Sequence, residues 1–351
     1  MANKNSLWKR FIGSKIIIPL ITLAILFLIN LFITKNFFAM EIKDGHLYGN
    51  LIDILKGATP IMLISIGLTL VIATKGIDIS VGSVVAISCA TVAFMIGGDL
   101  IMKDGVMVPY TKVPLAYAIL IAIGVSIAAG MWNGMLVSRV GMQPIIATLI
   151  LMVAGRGIAM MITKAQIITV YYEPFSVIGN GYWLYLPVSF YIAAVLLAAT
   201  LLLVRKTAMG LFIESVGTNP TATRFSGINS KNLIFWCYVF TGFCAGIAGV
   251  IYCSNVRSAD GNNAGNLMEL DAILAVVLGG TSLNGGKFYM MGSIVGALII
   301  QTLSTSIWAL GVPPEVAQVV KAIVIFAVCV IQSDKFRACV MRIFGRKELA
   351  A

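Results

Sequence analysis

The polar residues within or at the ends of apolar runs are where this chain could do chemistry: Asn30, Lys75, Asp78, Asn133, Arg156, Asn255, Glu269, Asp271, Gln301, Gln318 and Lys321. Ionisable groups are costly in hydrocarbon, so each needs a partner, a wet cavity or a function. Lys75 and Asp78, three residues apart, are spaced to pair or to cap a turn, with a place along a solute pathway as the sharper alternative. Arg156, in Ala154-Gly155-Arg156-Gly157, and Lys321 lie deeper in their runs, where a Glu or Asp from another span is the simplest partner. The Asn and Asp side chains of the loop from Arg257 to Asn266 suit hydroxyl groups such as those of a sugar, although the same residues make turns. Asp78, Asn133, Arg156, Asn255, Asn263 and Asp271 are therefore the candidates for lining a translocation pathway.

Catalytic chemistry finds no such foothold. The one close acidic pair in the spans is Glu269 and Asp271, and two residues apart on a helix they face different directions. A single histidine, His46, excludes a His-based triad or a His-rich metal site. The six cysteines contain no CxxC pair and mostly sit inside apolar runs, as small, soft core residues do. No GxxxxGK[ST], GxSxG or HExxH pattern occurs, so the chain is expected to hold no cofactor or metal and to be unable to use nucleotide by itself.

The elements that must position these residues are membrane spans. The chain has 351 residues, 59% hydrophobic and 11% charged, a balance that soluble proteins do not show. Its formal charge of +11 resides in loops between apolar segments, the usual membrane bias, and no basic stripe interleaves with exposed aromatics as nucleic-acid binding would need. Apolar runs bounded by Gly, Pro or charge give about ten expected helices, near 16–34, 58–74, 80–97, 113–137, 144–163, 186–204, 233–254, 270–281, 289–310 and 315–332. The first follows a basic N-terminus (Lys4, Lys9, Arg10, Lys15) and reads as a retained span rather than a signal peptide.

Placing that N-terminus in the cytoplasm and alternating sides puts Arg139, residues 205–232, Lys287 and the tail basic residues Lys335, Arg337, Arg342, Arg346 and Lys347 inside, with both termini cytoplasmic. Two places break the pattern. The run from Ile61 to Ala73 is short and leads into residues 74–80, and the run from Leu270 to Gly280 is short and leads into residues 281–286. Such pairs mark discontinuous helices in transporters built from repeats, or else are turns at a membrane face. Ser80 is placed to cap the helix after the first break. No linker divides the chain, so residues 1–351 read as one membrane domain, all-α, with some short or discontinuous helices.

Residues 205–232 are the longest polar passage in the second half. Their charges and backbone groups cannot lie in hydrocarbon, so they face water or protein and read as a docking surface.

Four stretches carry a family resemblance: residues 73–82 (ATKGIDISVG), Trp132-Asn133-Gly134, Gly217-Thr218-Asn219-Pro220 followed by Ser226-Gly227-Ile228-Asn229, and residues 270–280 (LDAILAVVLGG). Over nearly its full length the chain resembles the inner-membrane permease subunits of bacterial ABC importers for ribose, galactose and related sugars. Residues 147–157 and 259–265 look most like the galactofuranose branch. Lys75 is a departure, standing where members of the family often carry a glycine.

The resemblance implies import of a monosaccharide delivered by a periplasmic binding protein. It also implies a second permease chain, identical or related, and a separate cytoplasmic ATPase that holds ATP and Mg. Residues 205–232 would then carry a coupling helix, with Glu214, Asn219, Pro220, Thr223 and Arg224 as its contact face. The alternative is an ion-coupled carrier or channel for small polar solutes, against which stands the lack of an acidic relay deep in the spans.

Overall fold

A computed structural model describes residues 16–33, 37–43, 46–97, 100–103, 106–313, 316, 318–323, 326 and 330. The basic N-terminus and tail, with Lys35, Asp44, Cys329 and Cys339, lie outside the described residues. The helices are α1 (Ile17–Ile33), α2 (Asn50–Ala73), α3 (Val81–Ile96), α4 (Leu115–Met135), α5 (Pro144–Thr163), α6 (Glu173–Asn180) and α7 (Val188–Lys206). After them come α8 (Met209–Thr218), α9 (Pro220–Phe225), α10 (Ser230–Val256), α11 (Met268–Leu278) and α12 (Met290–Ala309). Residue 316, residues 318–323, and residues 326 and 330 are helical as well.

Six of these helices are long and apolar enough to cross a membrane: α2, α4 with the π-turn Leu136–Val140 that extends it, α5, α7, α10 and α12. The chain is a polytopic, mainly helical membrane protein. Nine of the ten expected runs coincide with helices from α1 to α12, and the described residues of the tenth are helical. Crossing takes about 20 apolar residues. By that measure α3, with 16 residues, and α11, with 11, are partial spans.

One boundary differs from expectation. The run that looked short at Ile61 belongs to α2, a helix of 24 residues starting at Asn50. Lys56 and Pro60 suggest a break there, but Lys56 donates to Asn180 Oδ1 from α6, so its charge is met within the protein and the helix continues. The helix stops at Thr74 because Lys75 takes a left-handed conformation (φ 65°).

Burial sorts the bundle into centre and rim. The apolar window of α2 is 83% buried and that of α7 only 17%, so α2 is the axis and α7 lies at the rim. α2 packs on α10, α12, α11 and α7, while α10 also packs on α4 and α3, and α3 on α5. Small residues let the backbones of α4 and α10 meet: a Cβ on Gly130 would lie 2.7 Å from the Tyr238 carbonyl, and one on Gly242 would lie 2.5 Å from the Ser126 carbonyl. The seam from α3 to α10 is similar, with Ser88 Oγ donating to the Gly246 carbonyl at 2.7 Å and Gly249 against Ser88. The middle of α3 thus packs beside the second half of α10, while its start lies by Asn133 and Tyr238.

The end of the bundle away from α8 and α9 carries short antiparallel ribbons that an all-α expectation passes over. They pair Glu41–Lys43 with His46–Tyr48, Leu100–Lys103 with Val106–Pro109, Ile168–Thr169 with Ser258–Ala259, and Tyr182–Trp183 with Leu186–Pro187. Strands of two to four residues are too short to show a period of two. His46 is stacked on Tyr182 there, with ring centroids 4.9 Å apart.

Candidate functional site

The polar passage folds as two short helices set at an angle. Asn219 ends α8 by taking an extended conformation, and its Oδ1 accepts from the Thr221 and Ala222 amides at 3.0 and 3.1 Å, capping α9. Pro220, at the first position of α9, has no N–H to leave unbonded. Ile213, Val216 and Gly217 face the bundle, while Leu211 is 66% exposed and Phe225 89% exposed. Glu214 is half-buried, and Asn219, Pro220 and Arg224 are exposed. Thr223 is turned inward, its hydroxyl donating to the Asn219 carbonyl at 2.8 Å, so it supports α9 from beneath instead of presenting a contact. A groove of about 490 Å³ between the helices is lined by Leu211, Glu214, Ser215, Thr218, Asn219 and Lys287, among others.

Phe225 lies outside the contact face expected from the sequence. Its signal was there: a lone large aromatic inside a polar stretch, which water disfavours unless something covers it.

Beneath these helices both sequence breaks come together. The Gly286 amide, in the second break, donates to the Ala73 carbonyl at the start of the first, at 2.9 Å. Gly217 of α8 lies on that bond so closely that a methyl group there would collide with both the Ala73 carbonyl and the Gly286 amide. Lys75 Nζ donates to the Thr218 carbonyl at 3.0 Å, which helps to hold its left-handed backbone. Lys75 therefore does not pair with Asp78; it ties the first break to α8.

Further in, the first break turns over a buried polar cluster. Asp78 Oδ1 accepts from the Ser80 amide at 2.9 Å, the Ser80 hydroxyl at 2.6 Å and Asn133 Nδ2 at 3.4 Å. All of these donors are uncharged. Asn133 Nδ2 also donates to Ser80 Oγ at 2.7 Å, while Asn133 Oδ1 is buried without a partner. Thr148 reaches the Ile77 carbonyl and the Ile79 amide, and the Tyr238 hydroxyl donates to the Ile77 carbonyl at 3.4 Å. Ser80 stands at the N-cap position of α3, yet its side chain makes no cap bond because the hydroxyl is turned to Asp78. Asp78 thus caps the turn, and Ser80 connects it to Asn133.

The remaining pathway candidates lie elsewhere. Arg156 donates to the Ala264 carbonyl in the loop between α10 and α11, with Glu269 and Asp260 within range of its charge. Glu269 is buried with Oε2 unpartnered, and only a glycine at position 82 leaves room for it. Asn263 is exposed and donates to Asp260 Oδ2 at 2.7 Å, making the turn that was the plainer reading. Burial alone would raise the Asp260 pKa, but the Asn262 and Asn263 donors and nearby Arg156 hold it below the usual carboxylate value. Asn255 is at the C-terminal end of α10, its carbonyl accepting from Asn180 and its Oδ1 buried beside Gly179. Asp271 is ion-paired with Lys321 at 3.0 Å, as the depth of Lys321 suggested. Glu269 and Asp271 do point to different surroundings. Of the six candidates, the structure joins only Asp78 and Asn133 directly.

Comparison with known proteins gives a consistent picture. The family model described as branched-chain amino acid transport system / permease component matches residues 50–329. The chain is 46% identical over 327 residues to the galactofuranose transporter permease protein YtfT of Escherichia coli (strain K12), covering 93% of this chain and 92% of that one. It is 39% identical over 340 residues to the fructose import permease protein FruF of Bifidobacterium longum (strain NCC 2705), covering 95% and 92%. It is 35% identical over 309 residues to the ribose import permease protein RbsC of Haemophilus influenzae (strain ATCC 51907 / DSM 11121 / KW20 / Rd), covering 87% and 89%. No solved structure gives a significant match.

Proposed function

Because this chain belongs to the family of branched-chain amino acid transport system permease components, matched from residue 50 to 329, we propose that it is the permease subunit of an ATP-driven importer that passes a monosaccharide through a bacterial inner membrane. The names of its relatives support a sugar over an amino acid, and the 46% identity to YtfT supports galactofuranose. The whole chain forms one transmembrane unit, and residues 205–232 are its coupling loop. The end bearing α8 and α9 faces the cytoplasm with both termini, and there an ABC ATPase holding ATP and Mg2+ seats against Glu214, Asn219, Pro220 and Arg224, with Phe225 as the apolar anchor. A periplasmic binding protein delivers the sugar at the opposite end, and a second permease chain completes the pathway. Asp78 and Asn133, the two candidates that bond to each other, are kept as pathway residues, and in this state both are buried.

The observation that carries this reading is the exposure of Leu211 and Phe225 on α8 and α9, of which α8 bears directly on both sequence breaks. A partner pressing on α8 pushes, through Gly217, on Ala73 and Gly286. The segment from Thr74 to Ser80, and with it Asp78, is one short step away. Alternating access then follows from two positions of α8, set by the ATPase.

The test is reconstitution of the assembled complex with its binding protein. Phe225→Ala and Arg224→Glu should each cut sugar uptake at least tenfold while the chain stays in the membrane, and ATP hydrolysis should lose its response to loaded binding protein. Normal uptake and normal stimulation in both variants would reject the docking assignment. Uptake by vesicles holding this chain without any ATPase would replace the whole reading with an ion-coupled carrier. The ligand found in the binding protein decides the sugar.

A further inference from the structure

α7 and α10 both lie on α2, yet they scarcely touch each other. The space between them is an apolar furrow in two stretches that share Leu196 and Ala199. The stretch near the coupling helices encloses about 340 Å³, with Leu70 of α2 among its lining residues. The other encloses about 520 Å³ and reaches Trp183 and Tyr191 at the ribbon end. On α7 the lining residues Leu196, Ala199, Thr200 and Leu203 recur at helical spacing, and the next position on that stripe is the exposed Lys206. On α10 the wall near this end includes Trp236, 57% exposed. The furrow therefore runs between aromatic side chains at both ends, as at the two interfaces of a bilayer, and ends in a cation on one side only.

We propose that the stretch between Lys206 and Trp236 binds the acyl chain of an anionic phospholipid, with the phosphate at Lys206. The occupant follows from three properties together. The lining is almost wholly apolar, it lies between helices long and apolar enough to cross a membrane, and the stripe of α7 that lines it runs on to the exposed Lys206. Met209 and Ile213 of α8 also line this stretch, so the lipid touches the inner side of the coupling helix and its departure would leave that side unsupported. This inference needs only that the helices cross a bilayer, and its failure would leave the import reading untouched.

Full-length chain in which Trp8, Trp132, Trp183 and Trp308 are replaced by Phe keeps Trp236 as its sole indole. In phosphatidylcholine vesicles, phosphatidylglycerol with brominated chains should quench Trp236 with about fivefold higher affinity than brominated phosphatidylcholine. Lys206→Gln should abolish that preference, and Ala199→Phe, which fills the furrow, should weaken quenching by both lipids. Equal quenching by the two lipids would overturn the headgroup assignment. No quenching at all would mean that protein, such as a second permease chain, covers the furrow, and would overturn the proposal entirely. If the four-Trp replacement impairs folding, native mass spectrometry of the unaltered chain, counting retained phosphatidylglycerol with and without Lys206→Gln, gives the same decision.

Discussion

Replacing Gly217 with alanine tests whether α8 bears on the sequence breaks as the structure shows. The added methyl group would meet the Ala73 carbonyl and the Gly286 amide, so the bond between them, 2.9 Å long, must open or α8 must move away. Losing that bond costs about 1 kcal/mol, and forcing one carbon into a packed contact costs about 1–3 kcal/mol, for a total near 2–4 kcal/mol. Gly157→Ala is the matched control. A Cβ there meets nothing within 4 Å, and the position lies inside α5, so alanine should be neutral or stabilise by up to about 1 kcal/mol.

The assay has two readouts on the assembled transporter: the thermal midpoint of the membrane-embedded complex and the sugar imported per ATP hydrolysed. Gly217→Ala should lower both, because the displaced α8 no longer transmits its position, whereas Gly157→Ala should change neither downward. If Gly217→Ala kept the wild-type midpoint and ratio, the contact would carry no force, and the route from α8 to residue 74 would have to be abandoned.

Three other perturbations discriminate among the roles assigned above. Asp78→Ala strands the buried Ser80 amide and hydroxyl and should destabilise by about 2–5 kcal/mol, while Asp78→Asn keeps an acceptor and should fold normally; if only the charge matters to transport, the asparagine variant will fold and fail to import. Asp271→Asn or Lys321→Gln alone should cost about 2 kcal/mol, less than a fully buried pair because both side chains retain some water, and the double replacement should recover most of it; equal losses in single and double variants would argue against the pairing. The Asp260 carboxylate has a lowered pKa, so the order it gives to residues 260–263 is complete above the ordinary carboxylate value and is lost as pH falls through the depressed one. Protection against amide exchange in that loop, taken relative to the intrinsic rate at each pH, should fall only below about pH 4, and a fall between pH 5 and pH 7 would point to another group.

Much of the architecture was legible because membrane spans announce themselves by length and apolarity, and the polar passage from 205 to 232 could be nowhere but outside hydrocarbon. The interruptions at 74–80 and 281–286 were legible from their Gly and polar residues, although the helix before the first, with 24 residues, is not short. What sequence could not supply was three-dimensional adjacency. Residues 73 and 286 share no local signal that would pair them, and Lys75 finds its acceptor 143 residues away at Thr218 instead of three residues away at Asp78. α2 was shortened in the reading because Lys56 looks like a terminator until Asn180 is seen to receive it. Ser80 looked like a cap because spacing reports only position, whereas the hydroxyl direction is decided by a carboxylate that burial leaves without water. Thr223 looked exposed in a polar string, and the angle between α8 and α9 turned it inward.

The glycine seam of α4 with α10 also sets where the molecule can deform. Helices locked with backbone against backbone at Gly130 and Gly242 leave no side-chain cushion to slide on, so the pair behaves as a single stiff plank. Across the furrow, by contrast, α7 meets α10 through almost nothing, and it packs on α2 and α6. A reorientation driven from α8, which follows α7 in the chain, would on the proposed coupling find its slip plane along the furrow. On the coupling proposed for α8, the plank would be the stator and α7 with α8 the moving arm, a division of labour set by where the chain placed its smallest side chains.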